Sequence, residues 1–572
     1  MDRCRCDCHG DSPTDHRFSR RAALRAAGIT AATLATTGLG LKSTAAQDAT
    51  PGAGTLPDLT GVTPLPLTGE RLATFEAFVA AKLGELGVPG ASVAVVQNGE
   101  IAFRKGFGVR AVDNPAPVTA DTLLRIGSVT KSFSSMLVGT LVDDGLLDWE
   151  TPLVELLPDF AVADEDLTPQ LTVRDAFCAC SGLPRRDLEF QFRALELAPE
   201  RVIDGMAQLA LTAPFGEKYQ YNNQLVAVGG FAAAAADGGA PADLAYAYDI
   251  ALRDRVLNPI GMPRSTLFLS DVVAGNDYAT PHAPDLDGNP VPLPMLLDDA
   301  WIAPVAPTGA LWSSAGEMTR YLQTELRRGD APDGVRVVSA ENLERTWQLG
   351  VPMDLGPETP ALFAATSSHY GLGWVVGTYG GQRLVSHTGA TYGFNSLVAF
   401  LPDADLGLVV LTNRNGAGAK LAFAAQFRLF ELLFAQPATI DGILEAVIAG
   451  EAAGRADLLA HLGQVDAAAV TPYLGRYANP DLGAMTLALR ADTLVFDTGA
   501  ERSELRPRLD ASGAVTDYVF INPPRGANPP VMYVTLEEDA VGRPRVVLTA
   551  LADPGEADLV YRYELIEAMP AP

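Results

Sequence analysis

Ser128 and Lys131 stand three residues apart in Arg125-Ile126-Gly127-Ser128-Val129-Thr130-Lys131-Ser132-Phe133. The chain holds six lysines against 36 arginines, so a retained lysine asks for a reason. Arginine keeps its proton at any accessible pH, whereas a partly buried lysine can be neutral and accept one. Ser128 and Lys131 therefore read as a nucleophile and its base. Beyond them Phe133, Met136, Leu137 and Leu141 keep a three-four spacing up to Asp143-Asp144-Gly145, which predicts a buried helix with Ser128 on its first turn. Backbone N–H groups and the positive end of the dipole favour an alkoxide-like charge there. Taken alone, the pair fits an N-cap serine beside a solvated lysine equally well.

Further strings add chemistry. Pro214-Phe215-Gly216-Glu217-Lys218-Tyr219-Gln220-Tyr221-Asn222-Asn223 ends in Tyr-x-Asn, and Val385-Ser386-His387-Thr388-Gly389-Ala390 closes a predicted strand. With Ser181-Gly182-Leu183-Pro184 and Thr308-Gly309-Ala310-Leu311-Trp312-Ser313, the chain from about residue 65 to 435 resembles the penicillin-recognising serine hydrolases. These are class C β-lactamases, D,D-carboxypeptidases, D-aminopeptidases and related esterases. The resemblance implies Ser128 as the acylated nucleophile, Lys131 as its proton acceptor and Tyr221 as the group sharing the proton traffic. It implies Asn223 on the substrate's amide carbonyl, Thr388 on a carboxylate, Gly389 admitting the acyl group to the strand edge, and the N–H groups of Ser128 and Ala390 as the oxyanion hole. His387 departs from the Lys-Thr-Gly of most β-lactamases. A histidine is only partly charged near neutrality, which weakens the fixed cation for a β-lactam carboxylate and predicts a limb near pH 6 to 7 in the activity profile. The expected function is hydrolysis of an amide or ester, a D-amino-acid peptide or small ester, through an acyl-serine. A β-lactamase and a penicillin-binding sensor without turnover are the alternatives.

The sequence around these residues predicts an α/β domain: an antiparallel sheet flanked by helices and interrupted by an inserted all-α region. A helix over 71–86 precedes a hairpin, 91–97 and 101–109, around Asn98-Gly99, and strands return at 382–386, 396–401 and 406–413. Residues about 150 to 375 read as helix and loop. Expected boundaries are an export signal over 1–46, a Pro/Gly/Thr-rich linker over 47–69, the hydrolase domain over 70–435 and a helical connector over 436–465. From 466 to 572 short strands alternate with turns, predicting a small antiparallel β-barrel. It resembles the lipocalin-like C-terminal domain of some peptidases of this family, through which a homo-oligomer could assemble.

A net charge of −27 argues against nucleic acid and membrane-surface partners, leaving a small-molecule or peptide substrate. Ser19-Arg20-Arg21-Ala22-Ala23-Leu24-Arg25, a mildly apolar stretch and Thr44-Ala45-Ala46 resemble a twin-arginine signal with cleavage after Ala46, so export is expected and a stable membrane anchor is not. Cys178 and Cys180 lie on one side of any extended segment and read as buried thiols, not a bridge. His282 with Asp285 and Asp287 reads as a solvated polar loop. No metal-ligand spacing and no cofactor-binding motif stand out.

Overall fold

The computed structural model describes residues 56–239, 243–355, 361–526, 531–551 and 557–569. The export signal expected over 1–46 lies outside them. Among the described residues no helix is long and apolar enough to cross a membrane, and no three His, Cys, Asp or Glu side chains group as they would around a metal ion.

Eight strands form one antiparallel sheet in the order 100–108, 90–97, 406–412, 395–401, 382–390, 375–379, 369–370, 351–352. The predicted hairpin is present, with Asn98 and Gly99 at φ of +54° and +73°, the left-handed pair that a two-residue turn needs. Both faces of the sheet are covered, because successive strand residues serve opposite cores. Val93, Val95, Leu408 and Val410 meet Phe75, Val79 and Phe427 from helices Gly69–Glu85 and Ala417–Leu433. Val96, Val398, Val409 and Leu411 meet Phe133, Leu137, Tyr321 and Leu322 from helices Thr130–Asp143 and Ala315–Leu326. Such continuous apolar strands are what burial on two sides demands.

Three expectations change. The region read as all-α supplies two strands of the main sheet, each only two residues long and thus too short for a period-two pattern to show, and a third, 375–379, begins where it ends. The described part of the expected linker packs on the sheet through Leu59 and Leu67, and the Gln97 side chain both donates to Leu65 O and accepts from Leu67 N. Cys178 and Cys180 form a disulfide. The segment between them is not extended: Ala179 has φ of +52°, which folds the chain back and brings the Cα atoms to 5.3 Å, inside the range a bridge requires.

Helix Ile440–His461 leads to a closed barrel of eight strands, 475–479 to 559–568, each antiparallel to its neighbours. Closure removes the free edges that would otherwise invite pairing with other chains. Tyr477, Leu487, Leu494, Phe496, Leu505, Val534, Leu548 and Tyr563 fill it, and Leu188 and Phe192 of the sheet domain join the same core.

Candidate active site

A 3-10 turn, Gly127–Val129, feeds helix Thr130–Asp143 and places Ser128 at its start. Gly127 has φ of +51°, and a Cβ there would stand 2.6 Å from Ala390 N. A Cβ on Gly389 would overlap Ile126 O. The two glycines therefore let the end of strand Gln382–Ala390 lie against the serine turn. Thr391 N–H is committed to Phe394 O, so by the alternation of an antiparallel ladder Ala390 N–H points away from strand Asn395–Leu401. Pairing on that side ends at Ser386. The Ala390 amide thus faces the serine turn.

Lys131 is fully buried. Its Nζ lies 3.2 Å from Ser128 Oγ and donates to Thr308 O at 2.9 Å. Burial drives its pKa well below the ordinary lysine value; Asp187 opposes that shift and Arg185 adds to it. A neutral amine so placed can take the serine proton. Lys131 and Arg185 sit over the Tyr221 ring, 4.8 and 5.1 Å from its centre. Burial raises the Tyr221 pKa, with Ser128 and Arg185 opposing. Tyr221 is therefore a phenol, able to donate or relay a proton but not resident as tyrosinate. Its hydroxyl makes no well-formed hydrogen bond among the described residues.

Tyr221 is held from both flanks. Asn222 caps helix Asn223–Ala236 by accepting from Leu225 N and donates to Pro184 O. Gln220 N donates to Ala179 O, within the disulfide loop, and Ala179, Tyr221, Val351 and Tyr370 share a small apolar cluster. Asn223 Nδ2 donates to both carboxylate oxygens of Asp187 at 3.0 Å, and Arg185 pairs with the same carboxylate.

His387 is buried where the sequence suggested a group charged part of the time. Its Nδ1 is 2.6 Å from Thr388 O, which can only accept, so Nδ1 carries the hydrogen and Nε2 accepts from Tyr370 Oη at 3.0 Å. Burial first, and Lys131 second, push its pKa down to about 3. The expected limb near pH 6 to 7 therefore does not belong to His387, which stays neutral through that range. Thr388 is half-buried and, with Tyr219, Tyr221, Met353, Tyr370 and Ser386, lines a narrow cleft.

His282 is not a solvated loop residue. It is buried, with Nδ1 3.0 Å from Asn413 O and Nε2 accepting from Val112 N, and burial lowers its pKa. Sequence reasoning missed Arg185, Asp187 and Tyr370. The first two directly follow Ser181-Gly182-Leu183-Pro184, a signal that could have pointed to them; Tyr370 carries none.

Residues 75–432 match the family model described as Beta-lactamase. The chain belongs to the β-lactamase family. Beyond the matched residues it carries the C-terminal eight-stranded barrel. An unguisins hydrolase of Aspergillus campestris is 29% identical over 352 residues, 60% of this chain and 61% of that protein. The unguisins hydrolase of Aspergillus violaceofuscus is 27% identical over 59% of this chain and 60% of its own length. The chain thus spans about three-fifths of these curated relatives. Penicillin-binding protein 4 of Amycolatopsis lactamdurans is 29% identical over 64% of this chain and 92% of that protein. The octameric penicillin-binding protein homologue from Pyrococcus abyssi shares the fold, with a TM-score of 0.54 at 21% identity over 86% of this chain and 99% of that one.

Proposed function

We propose that the protein hydrolyses amide or ester substrates, D-amino-acid peptides or small esters, through an acyl-Ser128 intermediate. The observation that carries this reading is the fully buried Lys131 with Nζ 3.2 Å from Ser128 Oγ. Lys131 takes the serine proton as Oγ attacks the carbonyl, and the N–H groups of Ser128 and Ala390 receive the developing oxyanion. Tyr221 relays that proton from Lys131 to the leaving group, so that both end as they began, and then assists the water that releases the acyl group. Asn223 binds the substrate's amide carbonyl with its side chain oriented by Asp187, while Thr388 contacts the substrate along the strand edge.

The neutral His387 selects among substrates. No resident cation stands at position 387 to hold a β-lactam carboxylate, and the aromatic wall of Tyr219, Tyr221 and Tyr370 suits an apolar group. Two of the relatives are named hydrolases, in keeping with turnover. Steady-state assays on a D-alanyl anilide, a nitrophenyl ester and a chromogenic cephalosporin discriminate among the readings. The expected result is kcat/KM for the anilide or ester at least about tenfold above that for the cephalosporin, since losing a carboxylate contact costs that much or more. Faster cephalosporin hydrolysis, or a single stoichiometric burst with every substrate, would overturn the proposal.

A further inference from the structure

One barrel arginine bonds to two elements that lead to the active site. Arg525 lies in a barrel loop and is 8% exposed. It pairs with the barrel's Glu501, donates from Nη2 to Tyr392 Oη at 2.6 Å and from Nη1 to Gln191 Oε1 at 2.8 Å, and stacks over the rings of Phe192 and Tyr392. Tyr392 Oη in turn donates to Glu501 Oε1 at 2.8 Å. On the barrel side these bonds are made by one charged pair, Arg525 and Glu501, with little access to water, where such bonds are strongest.

Each hydrolase residue that Arg525 grips ends a short path to the catalytic centre. Tyr392 follows Ala390 by two residues and is stacked on Trp301 at 5.0 Å. Trp301 closes the segment whose Asp298 and Asp299 hold Arg125, three residues before Ser128. Gln191 and Phe192 end helix Asp187–Phe192, whose first residue accepts from Asn223. One buried guanidinium thus braces both the strand end presenting the Ala390 amide and the helix presenting Asp187.

We infer that Arg525 is a positioning residue for the Ser128 reaction, so that the barrel is part of the catalytic apparatus; this rests on Ser128 being the nucleophile. Leu188 and Phe192 of the hydrolase domain pack into the barrel core beside it. Displacement of an oxyanion donor by a fraction of an ångström lowers the rate of acylation far more than it weakens binding.

The test compares full-length Arg525→Gln, Arg525→Lys and Tyr392→Phe with wild type. Arg508→Gln serves as a control, breaking the Arg508–Asp517 pair elsewhere in the barrel. A fluorophosphonate counts active sites, and kcat and KM are then measured per labelled site. The expected result is a loss of about tenfold in kcat and in labelling rate for Arg525→Gln, and about threefold for Tyr392→Phe. KM should stay within twofold, Arg525→Lys should recover part of the loss, and Arg508→Gln should leave kcat intact. Should Arg525→Gln fail to fold, Tyr392→Phe, which removes one hydroxyl, decides. Wild-type rates per site in Tyr392→Phe and in a folded Arg525→Gln would overturn the inference, as would equal loss in Arg508→Gln. Failure of the fluorophosphonate to label even wild type would instead refute the assignment of Ser128.

Discussion

The sheet domain gathers Lys131, Tyr221, Asn223 and His387 in one buried constellation, whereas the barrel interior is filled by leucine, valine and aromatic side chains. Buried charge in the barrel comes as matched pairs, Arg508 with Asp517 and Arg525 with Glu501. In the sheet domain Lys131 has no carboxylate at its Nζ among the described residues; its polar contacts there are a serine hydroxyl and a backbone carbonyl. Burying an amine that way disfavours its charged form, which is a handicap for a structural lysine and a requirement for a base. The contrast separates a domain shaped for chemistry from one shaped for packing. Arg525 is one of the places where the second touches the first.

The largest expected effect comes from removing that base. Lys131→Met keeps an apolar stem in the buried site and should lower kcat about 10²- to 10⁴-fold, the usual range for a general base. The wild-type profile should rise with pH along a limb lying well below 10.5, since burial depresses the lysine, and this limb should vanish in the variant. A variant retaining wild-type kcat would erase the distinction between the domains. The intermediate effect is that of Arg525→Gln.

The smallest lies at the domain junction. Burial and the barrel's Asp481 raise Glu189 from 4.5 to about 7, opposed by Arg186 and Tyr561. Between those pH values the unfolded chain has released a proton that the folded one keeps, so this group's contribution to stability is full below about 4.5 and is lost as pH rises through 7. Glu189→Gln should flatten the decline in unfolding free energy over that window, by an amount of up to about 3 kcal/mol. An unchanged slope would remove Glu189 from the junction's energetics.

What could be read beforehand follows from range. Ser128 and Lys131 are three apart on one helix, and the hairpin at Asn98-Gly99 is set by local turn chemistry; such short-range signals survive in a bare sequence. The connection of Arg525 to Tyr392 spans more than a hundred residues and has no local signature. Burial is equally invisible: position 387 shows a histidine, but only packing against Tyr370 and Lys131 makes it neutral. The Cys178–Cys180 bridge was obscured for the opposite reason, a local backbone reversal at Ala179 that its residue type does not announce.

The central claim is that Ser128 is acylated with Lys131 as its base, and the most direct measurement is mass-spectrometric mapping of a fluorophosphonate adduct on the intact chain. One adduct per molecule on the peptide containing Ser128, absent from Ser128→Ala and formed far more slowly in Lys131→Met, is the predicted result. An adduct on another residue, or equal labelling of wild type and Ser128→Ala, would contradict it.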